Sequence, residues 1–411
     1  MTRNYSLMEK LIQLLAFPSS LLLTIAFLMA VFALHKYASG SRVVKWLGSR
    51  KSSLVLLASG AVLLAIEGTW SLSIHHSLLF LVYALVLLLS LGLAVLGGIE
   101  RKAKPGFILN HLGFFLIVSA SLFGAPDVSK AKLTLHSGKA ENVAYCDDGL
   151  LLPLPFEISL EEFRIDYYDD GKSPRQFTSS LLIDGEKKEV SVNNPLTYKG
   201  YTLFQSGYDP VSGSYSVLQL VRDPWLPLVY LGMLLLACGS ILLLYGKWKA
   251  KIFIPVVLVL TLLFTIFSVS KINFGTLMPA LRSWWFVPHL FIYMVAYSLM
   301  ALALLIWLLP VKNKEFLSEN LVRSSSALLI IGMLIGSVWA RQAWGDYWAW
   351  DPKENWAAVT WFIALMHLHM KDRKGWKAVV VIVLAFLALQ ITWYGVNYLP
   401  SAIDSMHAYN N

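Results

Sequence analysis

The sequence is poor in charge and nearly without cysteine. Asp, Glu, Lys and Arg make up only 14% of its 411 residues, whereas a water-soluble domain carries about a quarter. With 57% hydrophobic residues and a mean hydropathy of +0.60, the chain is excluded from being a soluble globular protein along its whole length. The two cysteines, Cys146 and Cys238, form no CxxC pair and no metal-ligand spacing. That excludes a dithiol redox motif and a zinc site built on thiolates, and the chain carries no CxxCH segment of its own. No internal repeat or low-complexity tract is present.

What is abundant is the long apolar run. Such runs reach the length that a bilayer core demands. They recur to the C-terminus, so the first is not a lone signal peptide. We expect about ten membrane helices, roughly at 17–34, 53–70, 77–97, 107–124, 225–245, 252–270, 290–309, 325–340, 355–370 and 377–394. The net charge of +9 does not point to nucleic acid, because the cations sit in short loops between runs. Lys36, Arg42, Lys45, Arg50 and Lys51 share one loop, Arg101, Lys102 and Lys104 the next. Lys247, Lys249 and Lys251, then Lys312, Lys314 and Arg323, then Lys371, Arg373, Lys374 and Lys377 follow in alternate loops. The positive-inside rule makes these loops cytoplasmic and both termini extracytoplasmic. Residues 125–224 then form an extracytoplasmic domain. Its short runs Lys132–His136, Phe156–Leu160, Phe177–Ile183, Glu189–Val192 and Tyr201–Gln205, punctuated by Gly, Pro and Asp, predict strands. Asp184-Gly185 predicts a hairpin turn. The fold class expected is an all-α polytopic membrane protein with an inserted extracytoplasmic β-rich domain. It divides into N-terminal helices over 1–124, the β-rich domain over 125–224 and a C-terminal helical domain over 225–411.

The chemistry concentrates in WGDYWAWDPKENW, residues 344–356. Trp344, Tyr347, Trp348, Trp350 and Trp356 predict a flat, rigid, apolar surface suited to a porphyrin. An interfacial aromatic belt is the plainer alternative, but it gives no role to Gly345, Asp346, Asp351 and Lys353. Asp351-Pro352-Lys353-Glu354 has an acceptor at N-cap, Pro at N1 and Glu at N3, so it also predicts a helix start at 352. Arg341, Arg282 and Lys353 are the outer-side cations able to pair with heme propionates.

Among the nine histidines, His289 and His407 fall on the same side as the Trp loop. They predict two axial imidazoles for a held heme. His111 and His369 lie at cytoplasmic ends of helices, where ionisable groups are often functional. His369 is roughly 26 Å from Pro352 at about 1.5 Å per residue, so one heme cannot touch both the Trp loop and His369. His35, His75, His76 and His136 read as loop or interface residues.

These motifs are similar to those of the System II cytochrome c synthases of the fused CcsB–CcsA (ResB–ResC) type. The C-terminal part resembles the CcsA half through WGDYWAWDPKENW, TWFIALMHLH (360–369), SWWFVPHLFIYMVAYSL (283–299) and the terminal histidine. The stretch 53–224 resembles the CcsB half through NHLGFFLIVSASLFG (110–124) and the β-rich segment after it. The terminal segment reads MHAY where the family has His-Ser-Tyr, the outer domain is small, and an additional N-terminal helix is expected. The resemblance implies export of heme b, as a bis-His-ligated substrate, across the bacterial cytoplasmic membrane. It also implies covalent attachment of that heme to the CxxCH motif of apocytochrome c by thioether bonds, a synthase (lyase-type) activity. His289 and His407 would be the outer ligands. His111 and His369 would be the membrane pair, with His369 favoured over His367, and His75 and His76 are a rival for the N-terminal membrane ligand. Trp344, Trp348, Trp350 and Asp351 would present the vinyl edge. The implied partners are apocytochrome c, thiol-reducing thioredoxin-like proteins and membrane lipid. Competing readings are a heme transporter without ligation, a small-solute transporter, which leaves the Trp loop idle, and an electron-transfer membrane cytochrome.

Overall fold

The computed structural model describes residues 14–70, 72–146, 149–211, 213–244, 254–269, 274–310, 312–373 and 375–405. Ten long helices carry the chain: α1 (Ser19–Tyr37), α2 (Arg50–Trp70), α3 (Leu78–Glu100), α4 (Pro105–Gly124), α5 (Leu226–Leu244), α6 (Ile254–Val269), α7 (Phe286–Leu308), α8 (Lys314–Trp344), α9 (Pro352–His369) and α10 (Trp376–Trp393). Among the described residues, eight of them are long and apolar enough to cross a membrane. The expected count of about ten is therefore larger than the number meeting that standard. The two exceptions are α6, which is 16 residues long, and α9, whose run is diluted by Lys353, Glu354, Asn355, His367 and His369.

Helix α9 sits at the centre of the bundle, packed between α2 and α10, while α7 pairs with α8 and α4 with α5. Small residues set the close crossings. A Cβ on Gly113 of α4 would lie 2.5 Å from the backbone nitrogen of Leu236 on α5. On α2, a Cβ on Gly68 would meet Asn355 Cβ at 3.0 Å and Trp356 Cδ1 at 3.1 Å. The start of α9 is thereby pressed onto the end of α2.

Between α4 and α5 stands one antiparallel sheet of eight strands: β1 (Ser129–His136), β2 (Ala140–Tyr145), β3 (Leu151–Tyr167), β4 (Pro174–Ile183), β5 (Glu186–Ser191), β6 (Leu196–Tyr198), β7 (Tyr201–Tyr208) and β8 (Tyr215–Arg222), in the order β5-β4-β3-β2-β1-β8-β7-β6. Alternation drives it: in β1, Ala131, Leu133 and Leu135 are buried while Lys130, Lys132 and Thr134 face out. The predicted hairpin is present, with Asp184 at φ +47° and Gly185 at +84° between β4 and β5, the left-handed pair that a tight turn requires. Strand β3 is longer than expected, because Pro153 and Pro155 hide its first half. Its pairing with β4 begins only at Ile158, so the prolines occupy a stretch with a partner on one side, where the missing N–H is tolerated. The sheet's two stalks meet at Asp127, which accepts from Phe17 N at 2.6 Å, Ser20 Oγ at 2.7 Å and Trp225 Nε1 at 2.6 Å.

Candidate functional site

One end of α9 carries a histidine pair. His111 lies near the start of α4 and His369 is the last residue of α9. Their ring centroids are 6.2 Å apart with an interplanar angle of 64°. The His111 Nδ1 donates to the Phe107 carbonyl at 2.7 Å, and the His369 Nδ1 to the Leu365 carbonyl at 2.8 Å. A carbonyl only accepts, so each neutral ring keeps its proton on Nδ1 and its lone pair on Nε2, the form that binds metals. Both line a mostly apolar cavity walled by Leu57, Ser90, Asn110, Phe114, Ser326 and Trp361 among others. His367 is fully buried and does not line it. Arg373 holds the turn that follows, donating to the Leu368 carbonyl at 2.7 Å and to Glu319.

The other end of α9 meets the Trp loop and the sheet. Asp351 caps α9: its carboxylate accepts from Lys353 N at 2.8 Å, and Glu354 accepts from Asp351 N at 3.2 Å and Ala349 N at 2.8 Å. This is a complete capping box. Asp351 also accepts from Ser405 Oγ at 2.9 Å, so the described chain ends against the loop. His407 lies outside the described residues. Gly345, at φ +89°, ends α8 and abuts Phe204 and Val221 of the sheet, and Asp346 pairs with Lys130 at 2.5 Å. The Trp loop and the sheet thus share one face of the bundle, opposite the histidine pair.

The rings of the loop do not make one flat surface, which corrects the expectation from sequence. Their backbone turns repeatedly and sends them to different neighbours. Trp344 packs on Trp339 with centroids 5.3 Å apart. Tyr347 turns to α4 and α5, its hydroxyl 2.9 Å from Ser121 Oγ. Trp348 and Trp350 meet edge to face at 6.2 Å and 89°. Trp356 packs against Gly68 of α2. Trp350 itself holds φ +60°, an uncommon conformation for a bulky side chain, and Asn355 Nδ2 fixes its carbonyl at 2.9 Å.

His289 opens α7 on the Trp344 side. Its Nδ1 donates to the Gly332 carbonyl of α8 at 2.8 Å, repeating the tautomer of the other pair. A Cβ on Gly336 would come within 2.7 Å of its ring, so that glycine makes the room. Trp339 lies 5.9 Å from it, linking His289 to Trp344. The three candidate cations are committed differently. Arg341 is buried, donates to the Gly345 carbonyl and stacks over Phe204 at 5.3 Å. Arg282 donates to the Arg175 carbonyl at 3.1 Å. Lys353 is half-buried at the start of α9.

The sequence reading kept His75 only as a rival for the membrane ligand and did not foresee its place beside the Trp loop. This residue stacks on Trp350 at 4.5 Å with an interplanar angle of 3°. Its Nδ1 is bonded to Glu67, a buried carboxylate in the last turn of α2, whose other oxygen accepts the His75 backbone N–H at 3.2 Å. Burial and the adjacent His75 hold the His76 imidazole below the ordinary range. The signal was a lone glutamate in an apolar run, eight residues before a histidine pair. His35 lies 2.9 Å from Glu100 and His136 packs on Tyr215 at 5.6 Å.

A multi-pass helical membrane protein with a sheet domain on one face and paired histidines at the far end of the bundle is the class so defined. Residues 225–403 match the family model described as cytochrome C assembly protein, and residues 98–214 match the ResB-like family. The chain thus joins a segment similar to the ResB-like family to a segment similar to cytochrome c assembly proteins. It is 31% identical over 228 residues to the cytochrome c biogenesis protein CcsA of Chlamydomonas reinhardtii, covering 50% of this chain and 63% of that protein. Against CcsA of Guillardia theta it is 28% identical over 252 residues, covering 50% and 79%. Against CcsA of Cyanophora paradoxa it is 45% identical over 97 residues, covering 23% and 30%. The chain thus spans less than two thirds of the Chlamydomonas and Cyanophora relatives.

Proposed function

We propose that this protein carries heme b from the cytoplasmic to the outer side of the bacterial cytoplasmic membrane and joins it to the CxxCH thiols of apocytochrome c. The observation that carries the reading is the His111–His369 pair at the apolar cavity. A metal–imidazole bond is about 2.0–2.1 Å, so one iron between two Nε2 atoms sets the ring centroids about 6 Å apart. The observed 6.2 Å suits that, and the mostly apolar cavity wall suits a porphyrin face. His111 belongs to the ResB-like segment and His369 to the cytochrome c assembly segment, which supports a joint between the two halves as the inner station.

The outer station is His289 and His407 with the Trp loop, where the incoming CxxCH histidine displaces one of the two. Each thioether forms when a thiol adds across a vinyl double bond. The sulfur–carbon bond forms, the S–H bond breaks, and the proton ends on the other vinyl carbon. The protein contributes orientation and exclusion of water. Thiol-reducing, thioredoxin-like partners would keep the substrate cysteines reduced. Ligation needs neutral imidazole, so heme retention should fall in acid.

Co-expression with an apocytochrome c in a host without its own synthase tests this. Covalently attached heme on the substrate is expected. Heme bound to the chain with no covalent product would leave transport alone, and a purified protein without a bis-histidine heme spectrum would end both readings.

A further inference from the structure

The turn between α2 and α3, residues 72–77, and the end of α2 fall outside both family segments, which cover 98–214 and 225–403. Yet they deliver a carboxylate and an imidazole to the Trp loop. Glu67 is 4% exposed. A buried carboxylate needs partners, and this one has two from a single residue, the ring Nδ1 and the backbone N–H of His75. The bidentate grip fixes the ring's orientation and places its proton on Nδ1. Its Nε2 then carries the lone pair, and the adjacent carboxylate stabilises the imidazolium formed when that nitrogen takes a proton.

The ring is also fixed in position. Trp350 covers one face at 4.5 Å, Phe80 meets Trp350 edge-on at 5.2 Å, and His76 lies 4.0 Å away. The close crossing at Gly68 sets the register of Glu67 against the loop. Among the described residues, the charged or titratable groups facing His75 are Glu67 on α2 and His76 in its own turn, and the Trp350 and Phe80 rings are neutral. A helix-to-loop anchor alone would require a hydrogen bond to Glu67. It would not require an imidazole stacked parallel on the tryptophan proposed to face the heme.

We propose that His75, oriented by Glu67, is the proton-transfer residue of thioether formation. This rests on the ligation reading above. Nε2 accepts the thiol proton of the substrate cysteine as sulfur bonds to one vinyl carbon, and returns it to the other vinyl carbon. The S–H bond and the π bond are lost, and a C–S and a C–H bond are gained. The proton is conserved and neither oxidant nor reductant enters.

The test uses the purified full chain, loaded with heme, and a reduced CxxCH peptide. For His75→Gln, which keeps a hydrogen-bonding side chain beside Glu67 but cannot act as a base, we expect an unchanged heme spectrum. We expect product formation near pH 7 to slow by about 100-fold, within the range of general acid–base catalysis. The deficit should shrink as pH rises past the free-thiol pKa of about 8.5, where the thiolate forms without help. Glu67→Gln should slow the reaction less and share that pH rescue, which keeps the test open if His75→Gln does not accumulate. Wild-type rates from His75→Gln would overturn the proposal, as would equal loss of heme and product with no rescue by pH, the mark of a purely structural clasp. A wild-type protein that holds heme and forms no product would instead overturn the ligation reading and this proposal with it.

Discussion

The two ends of α9 are built in opposite ways. At the His369 end, two imidazoles from two helices face a mostly apolar cavity, each oriented by a carbonyl of its own helix four residues earlier. At the Pro352 end, the loop is held by many elements at once: the sheet through Lys130 and Phe204, α2 through Glu67 and Gly68, and the C-terminal segment through Ser405. A site whose imidazoles are each oriented within their own helix suits a ligand that must be handed on. A site tied to several segments suits a reaction whose partners must be held in register. A buried or interfacial imidazole serves both, and in each case an Nδ1–H bond chooses the tautomer.

That contrast can be broken from either side. The largest effect is expected at the inner end: His111→Ala or His369→Ala should lower the heme retained there by at least about tenfold, read from the absorption spectrum of the purified protein. His367→Ala should leave that spectrum intact, since His367 does not line the cavity. Next, Gly68→Val should separate the ends. Its added carbons meet Asn355 and Trp356, costing about 1–3 kcal/mol of overpacking. Covalent product should fall while inner heme stays, and loss of both would show that the ends are not independent. Asp351→Ala removes a cap and the Ser405 contact, for about 1 kcal/mol. The outer segment should become more open to proteolysis, with Asp351→Asn close to wild type.

The smallest effect lies in the sheet. Lys199, the Glu157 backbone N–H and the Tyr198 hydroxyl hold the Asp184 carboxyl down at about 2, from 3.8. A carboxyl with a depressed folded-state pKa adds stability above its unfolded value. That contribution should be present above about pH 4 and be lost toward pH 2. Acid titration of Asp184→Asn should lack this step while the wild type shows it.

Much of this was legible in the sequence. The helix positions follow from run length, the strands from alternation, and the α9 start from Asp351-Pro352-Lys353-Glu354, because each is set by near neighbours. His111 and His369 could be singled out as imidazoles at helix ends, and their approach is a tertiary fact. The Trp loop was misjudged as one flat surface, since the left-handed turns at Gly345 and Trp350 send its rings to separate neighbours. The place of His75, kept in the sequence only as a rival membrane ligand, was hidden for a similar reason. Its partners, Glu67 and Trp350, lie 8 residues before it and on a distant loop, and only the packing of α2 on α9 unites them.

In the proposed route, heme reaches the Trp loop by way of the His111–His369 pair. That route is tested most directly by the absorption spectrum of the purified full chain carrying His369→Ala, with His289 and His407 unchanged. The outer heme signal should fall together with the inner one. An outer site filled to the wild-type level while the inner pair holds no heme would contradict it.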